Sequence, residues 1–294
     1  MTVNPLGIHA GVWVGDWSDD SARFAIESSA RAGFDLIEIP AVDPGAVDLR
    51  HTVRLLEEHS MDAVVSLALD AATDINTEDR AVSDRGEARL SRAVDFAREI
   101  GAGYIGGVTY SAMVKYRHAA TAASRENSLA VLRRIAHTAR ESGISIGVEY
   151  VNRYESNLLN TAAQTVRFID DLGADNVLLH LDTFHANSEE LSLATAVQDA
   201  GDRLGYIHAS ESHRGHLGTG ILDFPGLFRQ LALTGYTGPI TFESFSSVIH
   251  PPETANTIGI WRDPWTDPAE AARNAHAFLS AHLAAAALVA AGAA

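Results

Sequence analysis

The chain has 294 residues, 46% hydrophobic and 20% charged, enough for a sizeable core and close to the size at which an α/β barrel folds as one unit. A formal net charge of −16 argues against a nucleic-acid partner, which needs a positive field facing phosphates. With no cysteine, disulfides and thiolate chemistry are excluded, and any bound metal must sit on N and O ligands.

The first residues, MTVNPLGIHAGVWVG, carry neither the basic n-region nor the long apolar h-region of a signal peptide, so a cytoplasmic location is expected. Short apolar or β-branched runs then alternate with longer amphipathic stretches, the signature of βα units on a parallel sheet. Candidate strands begin near Leu6, Phe34, Asp62, Gly103, Ile144, Val177, Leu204 and Pro239. Between them, Ser18 to Ala32 opens on a serine with acidic residues in its first turn and stops at Gly33. Arg80 to Ile100 stops at Gly101, Thr121 to Ser142 at Gly143, and Thr161 to Leu172 at Gly173, each followed at once by a new strand pattern. The Ala-rich run from Leu283 to Ala294 falls short of the ~20 residues that span a bilayer. It reads as the end of the last helix plus a tail, and no membrane partner is expected. No Pro/Gly/Ser linker divides the chain. Eight βα units over residues 1–294 predict a single (β/α)8 TIM barrel.

Such barrels keep their chemistry at the C-terminal ends of the strands. Strand five, ISIGVEY, ends at Glu149; strand six, VLLHLD, ends at Asp182; strand seven, LGYIHAS, carries His208; strand eight, PITFES, carries Glu243. Alternation points Ile146, Val148, Ile207, Ile240 and Phe242 outward, which leaves Gly147, Glu149, Tyr206, His208, Thr241 and Glu243 inward. His180 shares the inward phase of Asp182 and reads as a barrel-interior residue, not a ligand. One carboxylate at a strand end is ordinarily a solvated cap, and a lone histidine is ordinarily structural. Three carboxylates converging with an imidazole in one barrel mouth would repel one another unless a cation neutralised them. That donor set suits one divalent metal, Mn²⁺ first, with Mg²⁺ or Co²⁺ possible.

The segments GVEYVNRYESNLLNT, LHLDTFHAN, HASESHRGHLGTG and TFESFSS, with GVWVGDW and VTYSAMVKY earlier, closely resemble the ketose 3-epimerases. These are the D-tagatose, D-allulose (psicose) and L-ribulose 3-epimerases, within the xylose-isomerase-like barrels. The resemblance runs through almost the whole chain and departs from the family at the Ala-rich C-terminus. It implies that Glu149, Asp182, His208 and Glu243 bind the metal and that Glu149 and Glu243 also act as the acid/base pair. It further implies that His185 and Arg214 hold the oxygens around C1 and C2, and that Glu155 hydrogen-bonds near the reacting end. Trp13, Ser66, Gly107, Met113 and Phe245 would line the pocket for the distal part of the sugar.

The expected reaction is inversion at C3 of a free ketose. A metal on O2 and O3 would stabilise the cis-enediolate, one carboxylate would take the C3 proton, and the other would return one on the opposite face. L-Ribulose/L-xylulose, D-allulose/D-fructose and D-tagatose/D-sorbose are the candidate pairs, with a slight tilt to L-ribulose. The absence of a Gly-rich phosphate nest after strands seven and eight favours free sugars. Relatives that are dimers or tetramers imply a homodimer or homotetramer. The alternative is a metal-dependent aldose–ketose isomerase on the same barrel. A metal-dependent apurinic-site endonuclease would need more ligands and a basic surface, and a sugar-binding protein without catalysis would not need a pair of glutamates.

Overall fold

In the computed structural model, which describes residues 4–293 and the side chains of residues 4–288, each of the eight apolar runs becomes a strand. These are β1 (Leu6–His9), β2 (Leu36–Pro40), β3 (Asp62–Leu69), β4 (Tyr104–Ala112), β5 (Ser145–Glu149), β6 (Val177–Asp182), β7 (Leu204–Ala209) and β8 (Ile240–Phe242). Neighbours in sequence are parallel neighbours in space, and β1 pairs with β8 to close the barrel. The helices are α1 (Asp19–Ala32), α2 (Leu49–His59), α3 (Arg80–Ile100), α4 (Ala122–Glu141), α5 (Ala162–Leu172), α6 (Thr183–Glu189), α7 (Leu193–Ala200), α8 (Phe224–Thr234), α9 (Pro252–Thr257) and α10 (Pro268–Ala293).

The helix ends follow the local chemistry of the sequence. Thr121 and Ser124 form a reciprocal capping box at the start of α4, and the Thr161 hydroxyl accepts from the Gln164 N–H at the start of α5. Gly33, Gly101 and Gly173 stop α1, α3 and α5 with φ of 93°, 76° and 72°, a left-handed conformation that costs glycine nothing. At the C-terminus α10 continues to Ala293, so the run from Leu283 is helix, not a separate tail; Ala294 lies outside the described residues. The helix packs on α1 and on α8, where Phe278 meets Phe224 edge-on at 5.1 Å. Among the described residues no helix is long and apolar enough to cross a membrane.

Two apolar layers result. Outward-facing Ile8, Ile37, Val148, Leu179, Leu181, Ile207, Ile240 and Phe242 are fully buried between barrel and helices. Each such side chain stabilises the fold by about 1.5–3 kcal/mol. Inside the barrel, Leu36, Val64, Tyr104 and Tyr206 form a second, smaller cluster, with the two tyrosine rings stacked 4.8 Å apart. Gly147 makes room for this stack: a Cβ there would sit 1.7 Å from the Tyr104 hydroxyl. The interior plug forms a floor, and the polar residues gather above it at the C-terminal ends of the strands.

Candidate active site

Asp182 is the last residue of β6 and also the N-cap of α6. Its Oδ1 accepts from the Phe184 N–H at 2.7 Å, which leaves Oδ2 fully buried and without a hydrogen bond. His208, on β7, is held from behind by Glu38 of β2. Its Nε2 is 2.8 Å from Glu38 Oε2, while Nδ1 is buried without a hydrogen-bond partner. Nδ1 lies 3.6 Å from Glu149 Oε1 and 3.5 Å from Glu243 Oε1. Glu149 ends β5 and Glu243 follows β8 directly; both are buried.

Among the described residues, three overlapping groups have ligand atoms within 4.8 Å of one another: Asp182, His208 and Glu243; Glu149, Asp182 and His185; and Glu149, His180 and His208. His180 is fully buried in the barrel interior, its ring centroid 4.1 Å from that of His208. The residues fit a divalent cation on their own chemistry. Hard carboxylate oxygens and an imidazole nitrogen converge; His208 Nδ1 is buried without a hydrogen bond, and Asp182 Oδ2 is buried with only the Arg214 guanidinium beside it.

The remaining polar groups surround this cluster. Arg214 stands in the loop after β7 with φ of 60°, a left-handed conformation rare for arginine. The loop holds it there: its N–H donates to Glu211 O at 2.9 Å, and its carbonyl accepts from the Ser244 hydroxyl at 2.5 Å. Ser244 accepts in turn from the Trp265 indole N–H at 2.7 Å. The Arg214 guanidinium therefore lies between Phe184, 4.1 Å below it, and the carboxylates of Glu243 and Asp182, the latter 3.0 Å away. His185 of α6 is buried, with Nδ1 2.9 Å from the Asn152 amide nitrogen and Nε2 3.8 Å from Glu149 Oε1. On its other side, Nε2 lies 3.4 Å from the Arg214 guanidinium, facing the cluster. Glu155 lies 3.5 Å from His185 Nδ1, in the loop after β5.

Burial and charge set the titration of these groups in the protein alone. Burial pushes the Glu149 carboxyl up to about 7, against the pull of His208. Burial acts the same way on Glu243, but the positive charges of His208 and Arg214 outweigh it and hold the group at about 2. Burial works against a charged His208, yet the Glu243 and Glu38 carboxylates raise its pKa well above the ordinary value. Burial lowers His185 to about 3, so that ring is neutral.

A cavity of about 540 Å³ opens over this cluster. Ser66, Gly107, Met113 and Phe245 line it, as do Glu155, His185 and Arg214. Trp13 does not. Just past the short helical turn Ala10–Val12 after β1, Trp13 is buried, and its ring packs edge-on against Phe24 of α1 at 6.2 Å. The cavity takes Trp17 instead, whose indole N–H is tied to the Thr52 hydroxyl at 3.2 Å. Residue patterns had not singled out Glu38, His9, Asn152 or His250. For Glu38 a signal existed: in LIEIP a lone glutamate takes the inward phase between two outward isoleucines, and it is 1% exposed.

Residues 26–281 match the family of xylose isomerase-like TIM barrels. The L-ribulose 3-epimerase of Methylomonas sp. is 46% identical over 93% of this chain and 96% of its own length. The ketose 3-epimerase of Arthrobacter globiformis is 43% identical over 93% and 95%. A crystal structure of D-allulose 3-epimerase from Methylomonas sp. in complex with D-allulose superposes with a TM-score of 0.92 at 45% identity, covering 96% of this chain and 98% of that one. The chain therefore belongs to the xylose isomerase-like TIM barrels. Within them it is one of the ketose 3-epimerases, enzymes of the isomerase class.

Proposed function

We propose that this enzyme inverts C3 of free ketoses by a two-glutamate, metal-dependent mechanism, with L-ribulose and D-allulose as substrates. The single observation that carries it is the pair Glu149 and Glu243, two buried carboxylates from β5 and the end of β8 that lie 3.6 and 3.5 Å from the unpartnered His208 Nδ1. The substrate assignment rests on the relatives, which act on L-ribulose and, in one crystal structure, hold D-allulose.

Glu149, Asp182, His208 and Glu243 would hold one divalent cation, Mn²⁺ by preference. When bound, it supplies positive charge where negative charge builds on the ketose oxygens. The remaining chemistry belongs to the side chains. A proton next to a ketone is weakly acidic, so its removal needs a base within reach and stabilisation of the enediolate that follows. One of Glu149 and Glu243 takes the C3 proton, and the other delivers a proton to the opposite face. The neutral His185 and the Arg214 fork hold the oxygens at C1 and C2. Glu155 supports the same end through His185. Ser66, Gly107, Met113 and Phe245 surround the distal carbons and exclude water.

The test is incubation with Mn²⁺ and L-ribulose or D-allulose in D₂O, then chelation and NMR. Deuterium at C3 of the C3 epimer is the expected result. An aldose product carrying deuterium at C2 would replace this mechanism with aldose–ketose isomerisation. In the same assay Glu243→Gln keeps the fold, read by circular dichroism, and loses about 10²–10⁴ in kcat.

A further inference from the structure

Among the cavity histidines with no place in the mechanism above, His250 stands apart. His250 lies between β8 and α9 and is 8% exposed; it lines the cavity, and both ring nitrogens are buried without a hydrogen-bond partner. The Gly11 backbone approaches the ring without meeting hydrogen-bond geometry. Other buried histidines here are engaged: His9 Nδ1 accepts from the Gly11 N–H, His185 meets Asn152, and His208 meets Glu38. His180 also lacks partners, but it is shut inside the barrel and does not line the cavity. A desolvated imidazole facing an otherwise usable cavity is a group awaiting a polar ligand.

Its position says which part of the ligand. An aromatic wall runs outward from the carboxylate cluster. The His9 ring is 6.5 Å from His208, Phe245 is 5.4 Å from His9, and His250 is 5.4 Å from Phe245. A ketose bound with C3 at the glutamates and its distal carbons along this wall would bring a distal hydroxyl to His250. Burial, helped by His9, lowers the His250 pKa to about 4, so the ring is neutral, with one donor and one acceptor nitrogen. That pair suits a hydroxyl, which can both give and take.

We propose that His250 hydrogen-bonds a ketose hydroxyl beyond C3 and so sets the preference among sugars of different length and configuration. The inference rests on the C3-epimerase reading given above. Its test compares the native enzyme with H250F and H250Q, all loaded with Mn²⁺, on L-ribulose and D-allulose. Phenylalanine keeps the contact with Phe245 and removes both nitrogens; glutamine keeps a donor and an acceptor.

H250F is expected to raise KM about tenfold for at least one sugar, with kcat, Mn²⁺ affinity and melting temperature nearly unchanged, and H250Q to recover part of the loss. A rise for D-allulose alone assigns the hydroxyl on C6, which the pentulose lacks; a rise for both assigns O4 or O5. KM unchanged for both sugars in H250F overturns the proposal. Should H250F fail to fold, ¹⁵N-histidine NMR of the native enzyme with Mg²⁺ and D-allulose decides. The His250 nitrogens, identified by their absence in H250Q, shift on saturation if the bond forms, and no shift overturns it. Failure of the native enzyme to epimerise either sugar would instead sink the underlying reading.

Discussion

Glu38 shows how one side chain can govern another's chemistry. Its carboxylate accepts from His208 Nε2 at 2.8 Å and from the Tyr206 hydroxyl at 2.9 Å. The hydrogen bond fixes the imidazole so that Nδ1 faces Glu149 and Glu243, and the negative charge raises its basicity. Burial opposes ionisation of Glu38, but the positive charge on His208 more than compensates and depresses its pKa. Glu38→Gln retains a carbonyl acceptor and loses the charge. Mn²⁺ affinity, measured by calorimetry on the purified variant, is expected to fall about 10–100-fold. Unchanged affinity would show that His208 does not depend on this partner.

The junction of β6 and α6 has a different logic, in which one backbone feature serves both folding and the site. The strand ends at Asp182 and the helix begins at Thr183, so the same carboxylate caps α6 with Oδ1 and offers Oδ2 to the cluster. The helix then places His185 one turn on, within 3.7 Å of that oxygen. On β5 the inward position before Glu149 is Gly147, where the Tyr104 hydroxyl occupies the space of a Cβ. Gly147→Ala must displace the Tyr104–Tyr206 stack that forms the floor of the site. The expected cost is about 1–3 kcal/mol in urea unfolding, with lowered activity because β5 carries Glu149. A variant as stable as the native protein would mean that the tyrosine stack moves freely.

Closure of the barrel brings β2, β5, β6, β7 and β8 to one mouth and concentrates negative charge there. Glu38, Glu149, Asp182 and Glu243 are all buried there, with His208 and Arg214 as their cationic neighbours, in a chain of net charge −16. Their repulsion opposes folding, and a bound cation relieves it while favouring only the folded state. Mn²⁺ at about 100 times its Kd should stabilise the protein by about 2.7 kcal/mol, a rise of roughly 5 °C in melting temperature. Differential scanning fluorimetry of chelator-treated and Mn²⁺-loaded protein measures this. Equal melting temperatures would remove the cation from the account of the site.

Local pattern was sufficient for the (β/α)8 architecture, because strand alternation, Ser/Thr caps and glycine stops act over a few residues. The same alternation brought Glu149, Asp182, His208 and Glu243 to one height, since each lies at or just past the end of its own apolar run. Gly107, Ser66, Met113 and Phe245 were also read as lining residues from the family resemblance, and the cavity includes them. Trp13 shows where local pattern stops. GVWVGDW offers two tryptophans four residues apart, and only the short helical turn after β1 decides that Trp17 faces the cavity while Trp13 packs on α1. Glu38 and His208 are 170 positions apart, and His9 and His250 stand at opposite ends of the chain. Such pairs exist because β1 and β8 close a circle. Whether a buried group has found a partner depends on directions in space, which no run of neighbouring residues contains.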